Sequence, residues 1–475
     1  MNTTPLTNGA PSTIAQAAAA LRAGTTTATE LAQESIARAD ALDDKVGIYI
    51  KRFDEQMLEA AAAIDTDLAN GKELCPLAGI PLGIKDIITT VEAPTTGQSL
   101  VQDLSWGPGI GDAVVVQRLR AAGALITGKT TTMEFAMGLP DPTKPFPICR
   151  NPWDLDTWAG GSSSGTGSGI ASGVILGGLG TDTGGSIRNP AAFCSVTGLM
   201  PTAGRVPKSG CLPLGYSLDH IGPLARSAED CAIMLNALAG YDDSDATAID
   251  TPTEDYTAVL IGDLTGLTIG VDRTSGRPDE DIVDPALDTL LDDAIAVLTA
   301  RGAKVIDVTL PFYEEATAVL SAINSGEYGA FHRPDAQSQF ENFVASFRMA
   351  LGRGTFVSAA DYVQAQRVRR VIVKAVNTDV FSKVDLVFSP TAWVSATPLE
   401  ALIERPWQRP LHGNTSYWDV TGHPAIAVPM GFNTDGLPMS YQLVAKPFAE
   451  ATALAGAYGY QQDTDFHLAV PPLAC

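Results

Sequence analysis

A run of glycine and serine residues, Gly160–Ser186, could present hydroxyl nucleophiles on a backbone able to turn sharply. Seventeen of its 27 residues are Gly or Ser, and glycine is kept where the backbone turns tightly or approaches a ligand. A flexible linker of that composition would not contain the apolar stretch VILGGLG or the charged residue Asp182, and it would not be followed at once by Arg188. The segment is therefore interpreted as a cradle for a ligand, to which serine hydroxyls are presented.

A serine nucleophile needs a proton acceptor, and the sequence offers histidines and one unusual lysine for that role. The histidines stand beside turn-forming residues or in irregular polar surroundings, as structural histidines do: His220, His332, His412, His423 and His467. Lys85 instead lies in the apolar run PLAGIPLGIKDIITT, beside Asp86. Burial lowers the pKa of a lysine toward neutrality, so Lys85 is the preferred candidate base. Whether Asp86 orients it is left open.

Two short motifs suggest other chemistry and are interpreted as structural. Gly123–Thr130 matches the phosphate-binding pattern GxxxxGK[ST], but its intervening ALIT is an apolar strand rather than a turn. Gly161–Gly165 matches the serine-hydrolase pattern GxSxG, but the preceding NPWDLDTWAG is loop-like where that motif needs a hydrophobic strand. Neither nucleotide binding nor a histidine-dependent hydrolase is favoured.

Alternating strand and helix patterns must position these residues. Apolar strand candidates recur at residues 124–127, 173–176, 267–271, 304–308, 386–389 and 425–429. Helical patterns lie between several of them, at 113–123 and 285–302, and a capping box at Thr27 and Glu30 opens the second of two N-terminal helices. This alternation predicts an α/β fold with a large twisted sheet, mixed but mostly parallel, that is covered by helices on both faces.

Composition limits the class of protein. The chain has 475 residues, 45% of them hydrophobic, and a net charge of −23, which argues against nucleic-acid or anionic-membrane binding. No apolar run reaches the roughly 18 residues needed to span a bilayer, and residues 1–16 lack a secretory signal pattern. Six scattered cysteines indicate neither a disulfide framework nor a zinc site: Cys75, Cys149, Cys194, Cys211, Cys231 and Cys475. A cytoplasmic enzyme without metal or organic cofactor is predicted.

Taken together, the segments GIPLGIKD, GGSSSG and GTDTGGSIRNPAAFCSVTGLMPT resemble the amidase signature family of serine hydrolases. The stretches MEFAMG, RNPWD and SLDHIGPLARSAEDCA are similar to further motifs of that family. The resemblance is dense over about residues 75–235 and looser outside. It implies the amidase signature fold as a single domain over residues 1–475, in which residues 264–475 complete the sheet and the substrate pocket.

Carried onto this chain, the resemblance implies a triad of two serines and a lysine. Ser186 would be the nucleophile that attacks the amide carbonyl, and Ser162 would pass its proton to Lys85. In the family a cis peptide bond precedes the bridging serine, so the bond between Gly161 and Ser162 is expected to be cis. The oxyanion hole would consist of backbone N–H groups in the glycine turn: Thr183, Gly184 and Gly185. The residues expected to support the loop are Ser163, Asp182 and Arg188.

Four segments are expected to form the substrate pocket: Met133–Leu139, Cys211–Tyr216, Pro311–Arg353 and Thr391–Trp418. The last of them holds a group of large aromatic residues: Trp393, Trp407, Tyr417 and Trp418. Such a group favours an aromatic or apolar substrate, although ordinary core packing would explain it equally well.

The resemblance leaves two functions open. We expect an amidase that works alone on small-molecule aryl amides, and also on carbamates or esters, with water as the second substrate. The alternative is the glutamine-hydrolysing A subunit of a transfer-RNA-dependent amidotransferase, which works with partner proteins. No nucleic acid or membrane is expected as a direct partner, and a homodimer is kept as an option.

Overall fold

The computed structural model describes residues 11–101, 109–404 and 413–474. Thirteen strands lie in these ranges: β1 Tyr49–Arg52, β2 Pro81–Lys85, β3 Leu125–Thr130, β4 Arg150–Asn151, β5 Asp154–Trp158, β6 Gly177–Asp182, β7 Thr197–Met200, β8 His220–Ala225, β9 Thr268–Val271, β10 Lys304–Asp307, β11 Leu386–Pro390, β12 Ala425–Phe432 and β13 Pro438–Ala445. No helix in the same ranges is long and apolar enough to cross a membrane.

Eleven of the described strands form one mixed sheet, in the order β1-β3-β2-β6-β8-β7-β12-β13-β11-β9-β10. Four neighbouring pairs are parallel and six are antiparallel. The sheet is thus large and mixed, as predicted, but it has more antiparallel pairing than the alternation of strands and helices indicates. Part of the difference is the hairpin of β12 and β13, because a short turn through Asn433 and Gly436 can join only antiparallel strands.

Helices pack against this sheet. Their bounds are α1 Ile14–Ala23, α2 Ala28–Val46, α3 Asp54–Ala69, α4 Val114–Ala121, α5 Ser164–Ala171, α6 Arg188–Cys194, α7 Ala228–Leu238, α8 Leu287–Ala300, α9 Tyr313–Phe331, α10 Arg333–Gln339, α11 Ala345–Gly354, α12 Ala359–Ala375, α13 Leu399–Glu404, α14 Ser416–Thr421 and α15 Glu450–Gln461. The predicted capping box is present: Thr27 accepts from the Glu30 N–H, and the Glu30 carboxylate accepts from the Thr27 N–H.

Strand β6 corrects one sequence prediction. The apolar residues 173–176 form a turn rather than a strand, and the strand begins directly after them at Gly177. Glycine is needed inside β6 because its neighbours lie very close. A Cβ on Gly178 would stand 2.6 Å from the carbonyl oxygen of Gly83 in β2, and one on Gly180 would stand 2.7 Å from Ser163 Oγ. Tertiary packing therefore overrides the weak strand propensity of glycine.

The sheet places the candidate catalytic residues at one edge. Strands β3, β2 and β6 are parallel neighbours, so their carboxyl ends meet on the same side of the sheet. Lys85 is the last residue of β2, and Asp182 is the last residue of β6. The GKT letters of the phosphate-loop pattern lie inside β3, which is fully buried. That motif is therefore part of the sheet.

Candidate active site

Lys85 carries its side-chain nitrogen into the interior, against two hydroxyl groups. The side chain is fully buried, and Nζ lies 2.7 Å from Ser162 Oγ and 2.7 Å from Thr181 Oγ1. Burial, the largest cause, lowers the pKa of Lys85 to about 7. A lysine with that pKa is largely neutral just above pH 7, so its nitrogen can accept a proton from a neighbouring hydroxyl.

Ser162 and Ser186 come from two segments that are tied together through the backbone. The peptide bond between Gly161 and Ser162 is cis, as expected. The N–H of Ser163 donates to the carbonyl oxygen of Ser186 at 3.2 Å, and the Ser163 hydroxyl bonds the backbone of Thr181 at 3.3 Å. Both Ser162 and Ser186 line the same cavity. Ser163 thus has the contacts of a residue that holds the segments together.

The turn that carries Ser186 is built around one carboxylate. Asp182 accepts hydrogen bonds from the backbone N–H groups of Gly185 at 2.5 Å, Ile187 at 3.1 Å and Arg188 at 3.3 Å. Gly185 adopts a φ of +119°, which residues with a Cβ rarely reach. This arrangement fixes the path of the backbone on both sides of the Ser186 side chain.

The donors of the expected oxyanion hole are not equivalent. The Gly185 N–H is already engaged by Asp182. Within the described part of the chain, the N–H groups of Thr183 and Gly184 donate to no acceptor, and both residues line the cavity beside Ser186. A developing negative charge in the cavity would therefore find its free backbone donors at Thr183 and Gly184.

A buried ion cluster holds this turn against the C-terminal part of the chain. Arg188 donates to Asp182 at 3.0 and 3.2 Å, to Asp419 at 2.8 Å, and to the side chain of Gln442 and the carbonyl of Thr415 at 3.0 Å each. Arg188 lowers the pKa of Asp182 to about 2 against the opposing effect of burial. Burial and the neighbouring Asp182 raise the pKa of Asp419. The hydrogen bonds of this cluster are thus charge-assisted, and their geometry is specific.

Asp86 does not orient Lys85. Its carboxylate lies 3.0 Å from the Nζ of Lys129, which is as fully buried as Asp86 itself. Asp86 also accepts from the backbone and hydroxyl of Thr96. Lys129 further donates to the carbonyl oxygen of Ile88 at 2.7 Å. The pair Lys129 and Asp86 is a structural ion pair beneath the site, which explains the lysine of the GKT motif.

The described histidines are poor candidates for the base. His220, His332, His423 and His467 are all buried, and burial lowers the pKa of each to about 4. None of these four bonds to Ser162 or Ser186. His412 lies outside the described residues. A histidine with that pKa stays neutral at pH 7 but is a weak proton acceptor.

A cavity of about 180 Å³ opens in front of the two serines. It is lined by Met133, Ala136, Met137, Gly138, Trp158, Gly161, Ser162, Thr183, Gly184, Ser186, Asn189, Leu214, Leu320 and Asn324. Three of the four expected pocket segments contribute to this lining. Among its described residues the lining carries no charged side chain, so recognition here rests on shape and on neutral polar groups.

Of the two interpretations left open for the aromatic residues of Thr391–Trp418, core packing holds for those that the structure describes. Trp393 packs in the main hydrophobic cluster, with Arg277 over its ring, and Tyr417 and Trp418 lie in a second cluster. All three are at most 1% exposed. Trp407 lies outside the described residues. The aromatic ring that does line the cavity is Trp158, which follows from its place just before the Gly160–Ser186 segment.

Sequence reasoning missed several residues that contact the site. Thr181 lies within the glycine-rich segment, four residues after Gly177, and the alternation of a strand could have pointed it toward Lys85. Asp419 and Gln442 lie far away in the sequence and carry no local signal, whereas Asn324 falls in the expected pocket segment Pro311–Arg353 but was not singled out. Among the described residues, no group of three or more His, Cys, Asp or Glu side chains is placed to hold a metal ion.

Comparison with known proteins places the chain among amidases and their relatives. A family model described as Amidase matches residues 30–454. The A subunit of the glutamyl-tRNA(Gln) amidotransferase from Chloroflexus aggregans is 38% identical, over 97% of this chain and 98% of that protein. A structure described as a vestigial protein complex that reveals the origins of an s-triazine catabolic enzyme has a TM-score of 0.88 and 32% identity, over 95% of this chain and 98% of that one. The peptide amidase of Stenotrophomonas maltophilia has a TM-score of 0.82 and 29% identity, over 96% and 98%.

Proposed function

The chain belongs to the amidase signature family of amide hydrolases, and on this basis we propose that Ser186 is its nucleophile, Ser162 the bridging hydroxyl and Lys85 the general base. One observation carries the proposal. The Nζ of Lys85 lies 2.7 Å from Ser162 Oγ in a buried setting that lowers its pKa to about 7. Burying a protonated lysine against a hydroxyl group would be unfavourable. A buried neutral lysine in the same place is well suited to accepting a proton.

The reaction proceeds in two halves. The neutral amine of Lys85 takes the Ser162 proton while Ser162 takes the proton of Ser186, whose oxygen bonds to the carbonyl carbon. The carbonyl electrons move to oxygen, and the N–H groups of Thr183 and Gly184 stabilise the oxyanion. When the oxyanion collapses, the C–N bond breaks, and the proton returns from Lys85 through Ser162 to the leaving nitrogen. Water then repeats these steps on the acyl-enzyme and releases the carboxylic acid.

For the substrate we infer glutamine, with the chain acting as the ammonia-releasing component of an amidotransferase. The supporting observation is the set of curated relatives, which are 36–38% identical and match this chain over nearly its whole length. These relatives share one name, that of the A subunit of glutamyl-tRNA(Gln) amidotransferase. Such a role implies partner proteins, and a structure similar to this chain is itself described as a protein complex. Transfer RNA would then be bound by a partner, because this chain has a net charge of −23.

A free-standing amidase that acts on aryl amides is the second candidate function. The apolar part of the cavity lining favours it: Met133, Met137, Trp158, Leu214 and Leu320. This second candidate function includes the hydrolysis of carbamates and esters. The aromatic group of the C-terminal half gives it no support, because its described members are buried in the core.

Hydrolysis of a small substrate panel distinguishes the two functions. The purified chain is assayed on glutamine, an aliphatic amide, an anilide, an aryl carbamate and a nitrophenyl ester, beside Ser186→Ala. Glutamine hydrolysis that depends on Ser186, and that increases when the partner subunits are added, supports the amidotransferase role. Efficient Ser186-dependent release from the anilide, with none from glutamine, would contradict it in favour of the free-standing amidase.

A further inference from the structure

Helix α9 contributes two residues to the cavity lining beside the Ser186 turn. Leu320 and Asn324 lie one helical turn apart and both face the cavity. A Cβ built on Gly184 would stand 3.9 Å from Leu320 Cδ2, and one built on Gly215 would stand 2.6 Å from Asn324 Oδ1. The same Gly215 position lies 3.2 Å from the Thr183 side chain. Asn324 therefore lies against Gly215 and lines the same cavity as Ser186.

The side-chain amide of Asn324 makes no hydrogen bond to the described residues. Its Oδ1 is buried without a partner. Buried polar groups in native proteins are nearly always hydrogen-bonded, and one left unsatisfied in a binding cavity is typical of a group that a ligand completes. The side-chain amide of an asparagine offers one acceptor and two donors. It can therefore form hydrogen bonds to an ammonium group and a carboxylate group that are attached to the same carbon atom.

We propose that Asn324 determines substrate specificity by hydrogen-bonding the α-amino and α-carboxyl groups of glutamine, while Leu320 packs on the methylene groups of its side chain. This inference rests on the proposed function, because it assigns a partner to the polar end of that substrate. The described lining of the cavity offers no charged side chain to these two groups, so their hydrogen bonds inside it would come from neutral polar groups.

The test compares glutamine with two amides that lack part of its polar end, 4-aminobutanamide and butanamide. The measured quantity is the ratio of kcat/KM for glutamine to kcat/KM for butanamide. A hydrogen bond to a charged group corresponds to about a 10- to 100-fold change, so Asn324→Leu should lower this ratio by about that factor. Gly215→Ala should also lower it, because the new Cβ would displace the Asn324 amide. Ser321→Ala, an exposed position on the same helix, is the matched control.

Asn324→Asp separates recognition from a structural effect. A carboxylate at this position attracts the amino group but repels the carboxyl group, so it should raise the preference for 4-aminobutanamide over glutamine about tenfold or more. A purely structural loss would lower turnover of all three amides together and would overturn the assignment. The assignment would also be overturned if wild type hydrolyses glutamine and Asn324→Leu keeps the wild-type ratio of kcat/KM values. Absence of Ser186-dependent glutamine hydrolysis, alone or with partner subunits, would overturn the proposed function and this assignment with it.

Discussion

Protonation of Lys85 should switch off hydrolysis as the pH falls through about 7. The folded protein lowers the pKa of this lysine to about 7 by burying it, and only the neutral amine can take the proton of Ser162. The neutral fraction is then roughly one-tenth at pH 6 and roughly nine-tenths at pH 8. We therefore expect kcat/KM to rise about tenfold between these pH values, with a slope of one below pH 7 and a plateau above it.

The assay is a pH profile of kcat/KM from pH 5.5 to 9 with two variants beside wild type. Burial also raises the pKa of Glu134, next to the cavity residue Met133, to about 7. Glu134→Gln is therefore the control, and it should keep the inflection. Lys85→Arg should lose about 10²- to 10⁴-fold in kcat at every pH, because a guanidinium stays protonated. A flat profile between pH 6 and 8, or an inflection that disappears in Glu134→Gln, would refute the reasoning.

The lowered pKa of Lys85 also makes the free energy of unfolding depend on pH, in a direction that the pKa values determine. An unfolded lysine keeps its ordinary pKa of 10.5, whereas folded Lys85 has a pKa of about 7. Between these values the unfolded chain binds more protons, so the contribution of Lys85 makes the folded state more stable as the pH rises. Below pH 7 both states are protonated, and the cost of burying the charge is fully present.

Three further outcomes follow from contacts of the site. Ser162→Ala should lower kcat about 10²- to 10⁴-fold because the proton relay is cut; near-normal turnover would show that Ser162 is no bridge. Lys129→Met should reduce the free energy of unfolding, measured in urea, by about 3–5 kcal/mol because Asp86 is left buried and unpaired; wild-type stability would contradict this. Gly185→Ala should melt well below wild type, because its Cβ would overlap the hydroxyl oxygen of Thr415 at a φ of +119°. Gly184→Ala, with its nearest neighbour at 3.7 Å, should melt as wild type does.

Local sequence signals predicted the parts of the fold that local chemistry determines. The capping box at Thr27 and Glu30 and the apolar strand within the phosphate-loop pattern are both present, and the apolar run around Lys85 contains a fully buried strand. Each depends on neighbours within a few residues: hydrophobic runs, cap-forming side chains and turn residues. The family resemblance supplied the pairing of Ser162 with Ser186, which no rule of periodicity would have identified.

Features that depend on distant packing could not be predicted. Residues 173–176 read as a strand by composition, but β6 is built from glycines after them because β2 approaches within contact distance. Trp393 and Trp418 suggested a pocket, yet they fill the core. Asp419 meets Arg188 across 231 residues of sequence, and a single sequence holds no record of such a contact.

Covalent labelling of the nucleophile tests the central claim most directly. A fluorophosphonate bonds to an activated serine oxygen and releases fluoride, and digestion followed by mass spectrometry locates the adduct. We expect a single adduct on Ser186, no labelling of Ser186→Ala, and a labelling rate in Lys85→Met reduced about 10²-fold or more. An adduct on Ser162 or on any other residue, or equal labelling of Ser186→Ala, would contradict the account.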